Sequence, residues 1–126
     1  MANPYVVIAE DDPVLCNLYV KKFSTTGYRL KTAMNGEEAV HLISQEPPDL
    51  FICDINMPKL DGFQVLERFP KATRSFPVIL LTNFEDEMYK KRGAELGADD
   101  YFVKKNMTLR TLLDMVERLL REKGKL

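Results

Sequence analysis

Five side chains able to do phosphoryl and metal chemistry each stand directly behind a short apolar run. Glu10 and Asp11 follow Tyr5-Val-Val-Ile-Ala9, and Asp54 follows Leu50-Phe-Ile-Cys53. Thr82 follows Val78-Ile-Leu-Leu81, and Lys104 follows Tyr101-Phe-Val103. If these runs lie side by side, three carboxylates, a hydroxyl and an ammonium converge on one rim. Carboxylates gathered that closely disfavour shared ionisation, so at least one is pushed up unless a cation intervenes. Carboxylates, a backbone carbonyl and waters form the octahedral oxygen set that magnesium selects, with manganese a substitute. A phosphoryl group arriving there meets repulsion unless metal screens the acids. Asp54 can then attack phosphorus and become an acyl phosphate. Phosphoryl transfer asks mainly for positioning and charge neutralisation, and Lys104 and Thr82 can each hold one phosphoryl oxygen. Lone aspartates commonly cap helices, but capping leaves unexplained why Asp54, Thr82 and Lys104 each follow directly on a strand.

The elements that must position these groups alternate along the chain. Runs rich in β-branched and aromatic residues (Tyr5 to Ala9, Tyr28 to Ala33, Leu50 to Cys53, Val78 to Leu81, Tyr101 to Val103) read as strands. Most are apolar on both faces, as strands between two helix layers must be. Tyr28 to Ala33, with Arg29 and Lys31 pointing one way, suits a less covered edge. Between them lie helical patterns. Asp12-Pro13 reads as a cap and first helical residue, with Leu15, Leu18, Tyr19 and Phe23 at helical spacing and Gly27 past the end. Further helices are predicted over Glu37 to Gln45, closed by Pro47-Pro48, over Gly62 to Phe69, stopped by Pro70, and over Glu85 to Leu96, ended by Gly97. Leu109, Leu112, Leu113, Val116, Leu119 and Leu120 make the apolar stripe of a last helix, with a frayed tail over residues 122–126. Strict alternation predicts a parallel sheet with right-handed crossovers and helices on both faces. In such sheets function collects at the carboxyl ends of the strands.

Bulk properties narrow the class. A chain of 126 residues fits one domain, 1–126, and 45% hydrophobic content is enough to fill a core. Eighteen basic against nineteen acidic residues give a net charge of −1, so no global field recruits nucleic acid or a membrane surface. The first residues lack a basic region followed by an apolar stretch, and the five-residue run after them is too short to cross a bilayer. Cys16 and Cys53, far apart and outside any CxxC, read as buried reduced thiols of a cytoplasmic protein. His41 and the basic run Lys90-Lys91-Arg92 read as solvated helix surface. No glycine-rich nucleotide-binding loop is present.

Taken in order, the segments Ile8-Ala-Glu-Asp-Asp-Pro13, Asp49 to Gly62, Thr82, and Gly97-Ala-Asp-Asp-Tyr-Phe-Val-Lys104 resemble the receiver domain of bacterial two-component response regulators, over nearly the whole chain. The resemblance implies a flavodoxin-like, doubly wound (βα)5 fold with strand order 2-1-3-4-5 and five helices. It implies a signalling switch rather than a metabolic enzyme, with self-catalysed phosphoryl uptake and loss. Asp54 would take its phosphoryl group from a phosphohistidine on a sensor histidine kinase or a histidine phosphotransfer protein. Asp11 would bind magnesium directly, Glu10 through water, and Asn56 through its backbone carbonyl. Thr82 and Tyr101 would move together as a switch, changing the surface of the fourth helix, fifth strand and fifth helix toward a downstream protein. The chain would be a monomer or a phosphorylation-dependent dimer, free-standing or cut from a longer regulator.

Four positions shape these expectations. Lys105 stands where the family usually has a proline after the lysine, often with a cis bond. A cis bond before a non-proline residue costs roughly 2.5–4 kcal/mol, so a trans bond or a strained loop is expected there. Asn83 replaces a small residue beside Thr82 and would crowd the phosphoryl site, donate to it, or serve as a polar loop residue. Asn56 and Phe84, two positions beyond Asp54 and Thr82, flank the path of a hydrolytic water, and an apolar ring at Phe84 would exclude or misplace it. Two other functions fit parts of the pattern. A phosphorylation-independent pseudo-receiver would keep the fold and bind partners only. An aspartyl-phosphate hydrolase similar to the haloacid-dehalogenase family would need a second aspartate where Asn56 stands, and a lid domain.

Overall fold

A computed structural model describes residues 3–83 and 85–126; Phe84 and the expectation attached to it lie outside the described residues. The chain alternates as β1 (Tyr5–Ala9), α1 (Pro13–Phe23), β2 (Arg29–Ala33), α2 (Gly36–Gln45), β3 (Leu50–Asp54), α3 (Gly62–Arg68), β4 (Val78–Thr82), α4 (Glu87–Glu95), β5 (Asp100–Val103) and α5 (Leu109–Glu122). One parallel sheet forms in the order β2-β1-β3-β4-β5, as expected for a doubly wound, flavodoxin-like fold.

Strand alternation divides the core in two. Val7, Ala9, Phe51, Cys53 and Leu80 face Ala39, Ile43, Val65 and Leu66 of α2 and α3, with Tyr89 and Leu96 from the α4 side. Val6, Ile8, Ile52, Ile79 and Leu81 face Tyr19 and Phe23 of α1 and the α5 stripe Leu112, Val116, Leu119 and Leu120. Residues i and i+2 of a strand share a face, so runs apolar at every position serve both layers. The edge strand β2 instead exposes Arg29 and Lys31 in alternation, as its pattern predicts. Cys16 and Cys53 are buried free thiols, and His41 is exposed.

Capping sets the helix starts. Asp12 accepts from the Val14 and Leu15 amides with Pro13 at the first turn, and Asn35 accepts from Glu38. In α3, Asp61 and Gln64 bond each other's backbone reciprocally. The fourth helix begins at Glu87 rather than at Glu85, because the Asp86 carboxylate takes the Met88 and Tyr89 amides and so becomes the cap. Glu85, left outside, accepts from the Asn106 side chain at 3.3 Å. The fifth helix runs through Glu122, one residue into the segment expected to fray. Gly124, at φ 72°, lets the chain turn so that the Lys125 amide donates to the Leu120 carbonyl at 2.8 Å. Lys125 also pairs with Asp49 at 3.4 Å.

At the amino ends of the strands, acids serve the backbone. Asp49 accepts from the Tyr5 amide and Asp99 from the Val78 amide, each at 2.8 Å. The buried Arg74 guanidinium donates to the carbonyls of Phe69, Phe76 and Gly97. The opposite rim differs in kind.

Candidate functional site

Register brings the carboxyl ends level. Ala9 is paired with Cys53, Asp54 with Leu81, and Thr82 with Val103, and the Lys104 amide donates to the Thr82 carbonyl at 2.8 Å. The residues that follow β1 and β5, and those that end β3 and β4, therefore meet at one rim. Glu10, Asp11 and Asp54 each bring a carboxylate oxygen to within 4.8 Å of the others. Asp11 is exposed, whereas Glu10, Asp54 and Thr82 are buried.

Lys104 spans the two buried acids, its Nζ 2.7 Å from Glu10 Oε1 and 3.1 Å from Asp54 Oδ2. Glu10 is held further by the Asp12 amide at 3.2 Å and the Tyr19 hydroxyl at 3.5 Å. Burial, then the hydrogen bond to Glu10 and its charge, push the Asp54 carboxyl up to about 7, against the opposing pull of Lys104. For Lys104 burial acts downward, but the bonds and charges of Glu10 and Asp54 outweigh it and hold the ammonium above the ordinary lysine value. Burial and the nearby acids likewise raise the Tyr19 hydroxyl. One lysine does not fully neutralise this rim. Three hard carboxylate oxygens crowded together, one of them driven toward protonation, are the donor set a small divalent cation fits.

The remaining residues expected at the site fall around this cluster. Asn56 is exposed on the loop after β3, its amide donating to Asp54 Oδ1 at 3.3 Å. Asn83 is exposed beside the buried Thr82. The Tyr101 side chain, half-buried on β5, is hydrogen-bonded to Thr82; burial raises its hydroxyl and that bond opposes the rise. No cis bond occurs among the described residues, so the Lys104–Lys105 bond is trans, as the cost of a non-proline cis bond predicts. Two contacts were not legible in the sequence. Tyr19, placed by its spacing in an apolar stripe, also reaches Glu10 with its hydroxyl. Tyr89 of α4 reaches across to the Asn56 side chain, its hydroxyl 3.4 Å from Oδ1. Helical spacing marks the face a tyrosine occupies, and only the docking of the helix decides what its hydroxyl meets.

Residues 6–117 match the family model described as the response regulator receiver domain. The chain is 36% identical over 102 residues to the alkaline phosphatase synthesis transcriptional regulatory protein PhoP of Bacillus subtilis, covering 81% of this chain and 42% of that protein. It is 43% identical over 99 residues to the probable transcriptional regulator ycf27 of Guillardia theta, covering 79% and 39%. The chain thus spans about two-fifths of the length of these curated relatives. Among solved structures, a Francisella response regulator receiver domain superposes with a TM-score of 0.88 at 32% identity, covering 95% of this chain and 98% of that one. A CheY-like receiver domain protein of Methanospirillum hungatei shares the fold with a TM-score of 0.90 at 24% identity, covering 98% of each chain. The acidic rim and the matched span lead to one conclusion: the chain belongs to the response regulator receiver domain family, the phosphoacceptor module of two-component signalling.

Proposed function

We propose that Asp54 is the phosphoacceptor of a magnesium-dependent switch. The observation that carries this reading is the cluster of Glu10, Asp11 and Asp54 carboxylates with Lys104 seated between two of them. Asp11, Asp54 and the Asn56 backbone carbonyl would hold the ion, with Glu10 behind them through water. Magnesium, when bound, supplies the positive charge that lets an anionic phosphoryl group approach three acids. The chain's own residues do the rest.

A deprotonated Asp54 oxygen attacks phosphorus in line, the bond from phosphorus to the donor nitrogen breaks, and the leaving imidazole takes a proton. Lys104 already lies 3.1 Å from Asp54. Its ammonium turns from that carboxylate to one phosphoryl oxygen while keeping Glu10. The Thr82 hydroxyl takes another oxygen, and Tyr101, hydrogen-bonded to Thr82, follows it. That motion alters the surface of α4, β5 and α5. Hydrolysis reverses the charge: water attacks phosphorus, the acyl phosphate bond breaks, inorganic phosphate leaves and the carboxylate is restored. The donor is a histidine kinase or a histidine phosphotransfer protein and the recipient of the signal a downstream protein.

Phosphoramidate carries the same P–N bond as phosphohistidine and tests this chemistry without a cognate kinase. Incubation with it and magnesium, then borohydride reduction and peptide mass mapping, should convert Asp54 alone to homoserine. Label on any other residue, or none, contradicts the assignment.

A further inference from the structure

Tyr89 lies on α4, outside the strand ends that supply the acidic rim, yet it touches the loop that follows Asp54. Its hydroxyl donates to Asn56 Oδ1 at 3.4 Å, and its ring meets Phe63 of α3 edge-on, with centroids 5.5 Å apart at 81°. Asn56 in turn donates its amide to Asp54 Oδ1 at 3.3 Å. A chain of contacts therefore runs from the first turn of α4 through Asn56 to the acceptor carboxylate. The Phe63 ring fixes the tyrosine from the other side.

An asparagine side chain has one accepting atom, its carbonyl oxygen, and a nitrogen that only donates. A water attacking phosphorus is helped by an acceptor that aligns it and draws on its proton. We propose that Tyr89 is a positioning residue for dephosphorylation: by engaging Asn56 Oδ1 it holds the only acceptor on that side chain away from the water path and prolongs the life of the phosphoryl group on Asp54. The inference rests on Asp54 being the phosphoacceptor. It also gives α4 a direct hold on the lifetime of the signal, because any partner that shifts this helix breaks the contact with Asn56.

Tyr89→Phe keeps the ring against Phe63 and removes only the hydroxyl. The protein is labelled with acetyl phosphate and magnesium, freed of excess donor, and followed by intact mass. Tyr89→Phe should lose its phosphoryl group about three- to tenfold faster than wild type, the rate equivalent of one neutral hydrogen bond. In an Asn56→Ala background the same change should have no effect, whereas a purely structural role for Tyr89 would persist there. The melting temperature of Tyr89→Phe should fall by no more than the few degrees that loss of one neutral hydrogen bond costs. In metal-free, unphosphorylated protein, the Asn56 side-chain amide protons should shift in the NMR spectrum of the variant. Equal lifetimes, an effect that survives Asn56→Ala, or unmoved Asn56 amide signals overturn the inference. Wild type that takes up no label at all overturns both this inference and the acceptor assignment, whereas labelled wild type with any of the former results overturns the inference alone.

Discussion

Asp54 titrates near neutrality because burial and Glu10 outweigh Lys104, and this has a measurable consequence for metal-free protein. In the unfolded chain the same carboxyl releases its proton at its ordinary 3.8. Between that value and about 7 the folded state keeps a proton the unfolded state has lost, so rising pH favours unfolding. The stabilisation from this raised group is full below 3.8 and gone once the pH passes about 7. Asparagine cannot titrate. Asp54→Asn should therefore gain stability relative to wild type as pH rises through that window, by on the order of a few kcal/mol, and then stay level. Urea denaturation in chelator at pH 4 and pH 8 checks it, and a pH-independent difference would contradict the raised carboxyl. The acids, threonine and lysine were legible in the sequence because each directly follows a strand signal. Tyr19 and Tyr89 were not, because a helical aromatic reports its buried face and says nothing of the polar atom at its tip.

At the level of elements, the segment between β3 and α3 carries Asn56 next to Asp54 and is held by close backbone approach. The Gly62 amide donates to the Ile55 carbonyl at 2.7 Å. A Cβ at Gly62 would lie 2.6 Å from the Asp54 carbonyl oxygen and 2.8 Å from Ile55 Cα, both backbone atoms. Gly62→Ala should cost about 1–3 kcal/mol in urea denaturation, the usual penalty of overpacking, and slow phosphoryl uptake by displacing the end of β3. A variant as stable and as quickly labelled as wild type would show that the loop yields freely. Alternating apolar runs and caps made the ten elements legible, down to Pro13 in the first turn of α1. The start of α4 was less so. Asp86 and Glu85 are both acceptable near a helix start, and only the bonds to Met88 and Tyr89 choose between them.

Over the whole molecule, α4 and α5 are anchored unequally. α5 buries Leu112, Val116, Leu119 and Leu120, whereas the one buried residue of α4 is Gly93, seated against Leu80. An element so lightly held can shift at small cost, and it is the one whose Tyr89 touches Asn56. The fold thus places an acidic cluster at one rim of the sheet and a lightly seated helix beside it. Family membership follows from the sequence and the fold; the chemistry rests on Asp54. Intact mass after incubation with acetyl phosphate, in magnesium and in chelator, beside an Asp54→Asn control, tests that chemistry most directly. The expected result is a gain of one phosphoryl group in magnesium only, absent from the control. A folded domain that gains nothing, or an Asp54→Asn variant that still gains it, would rule out Asp54 as the phosphoacceptor.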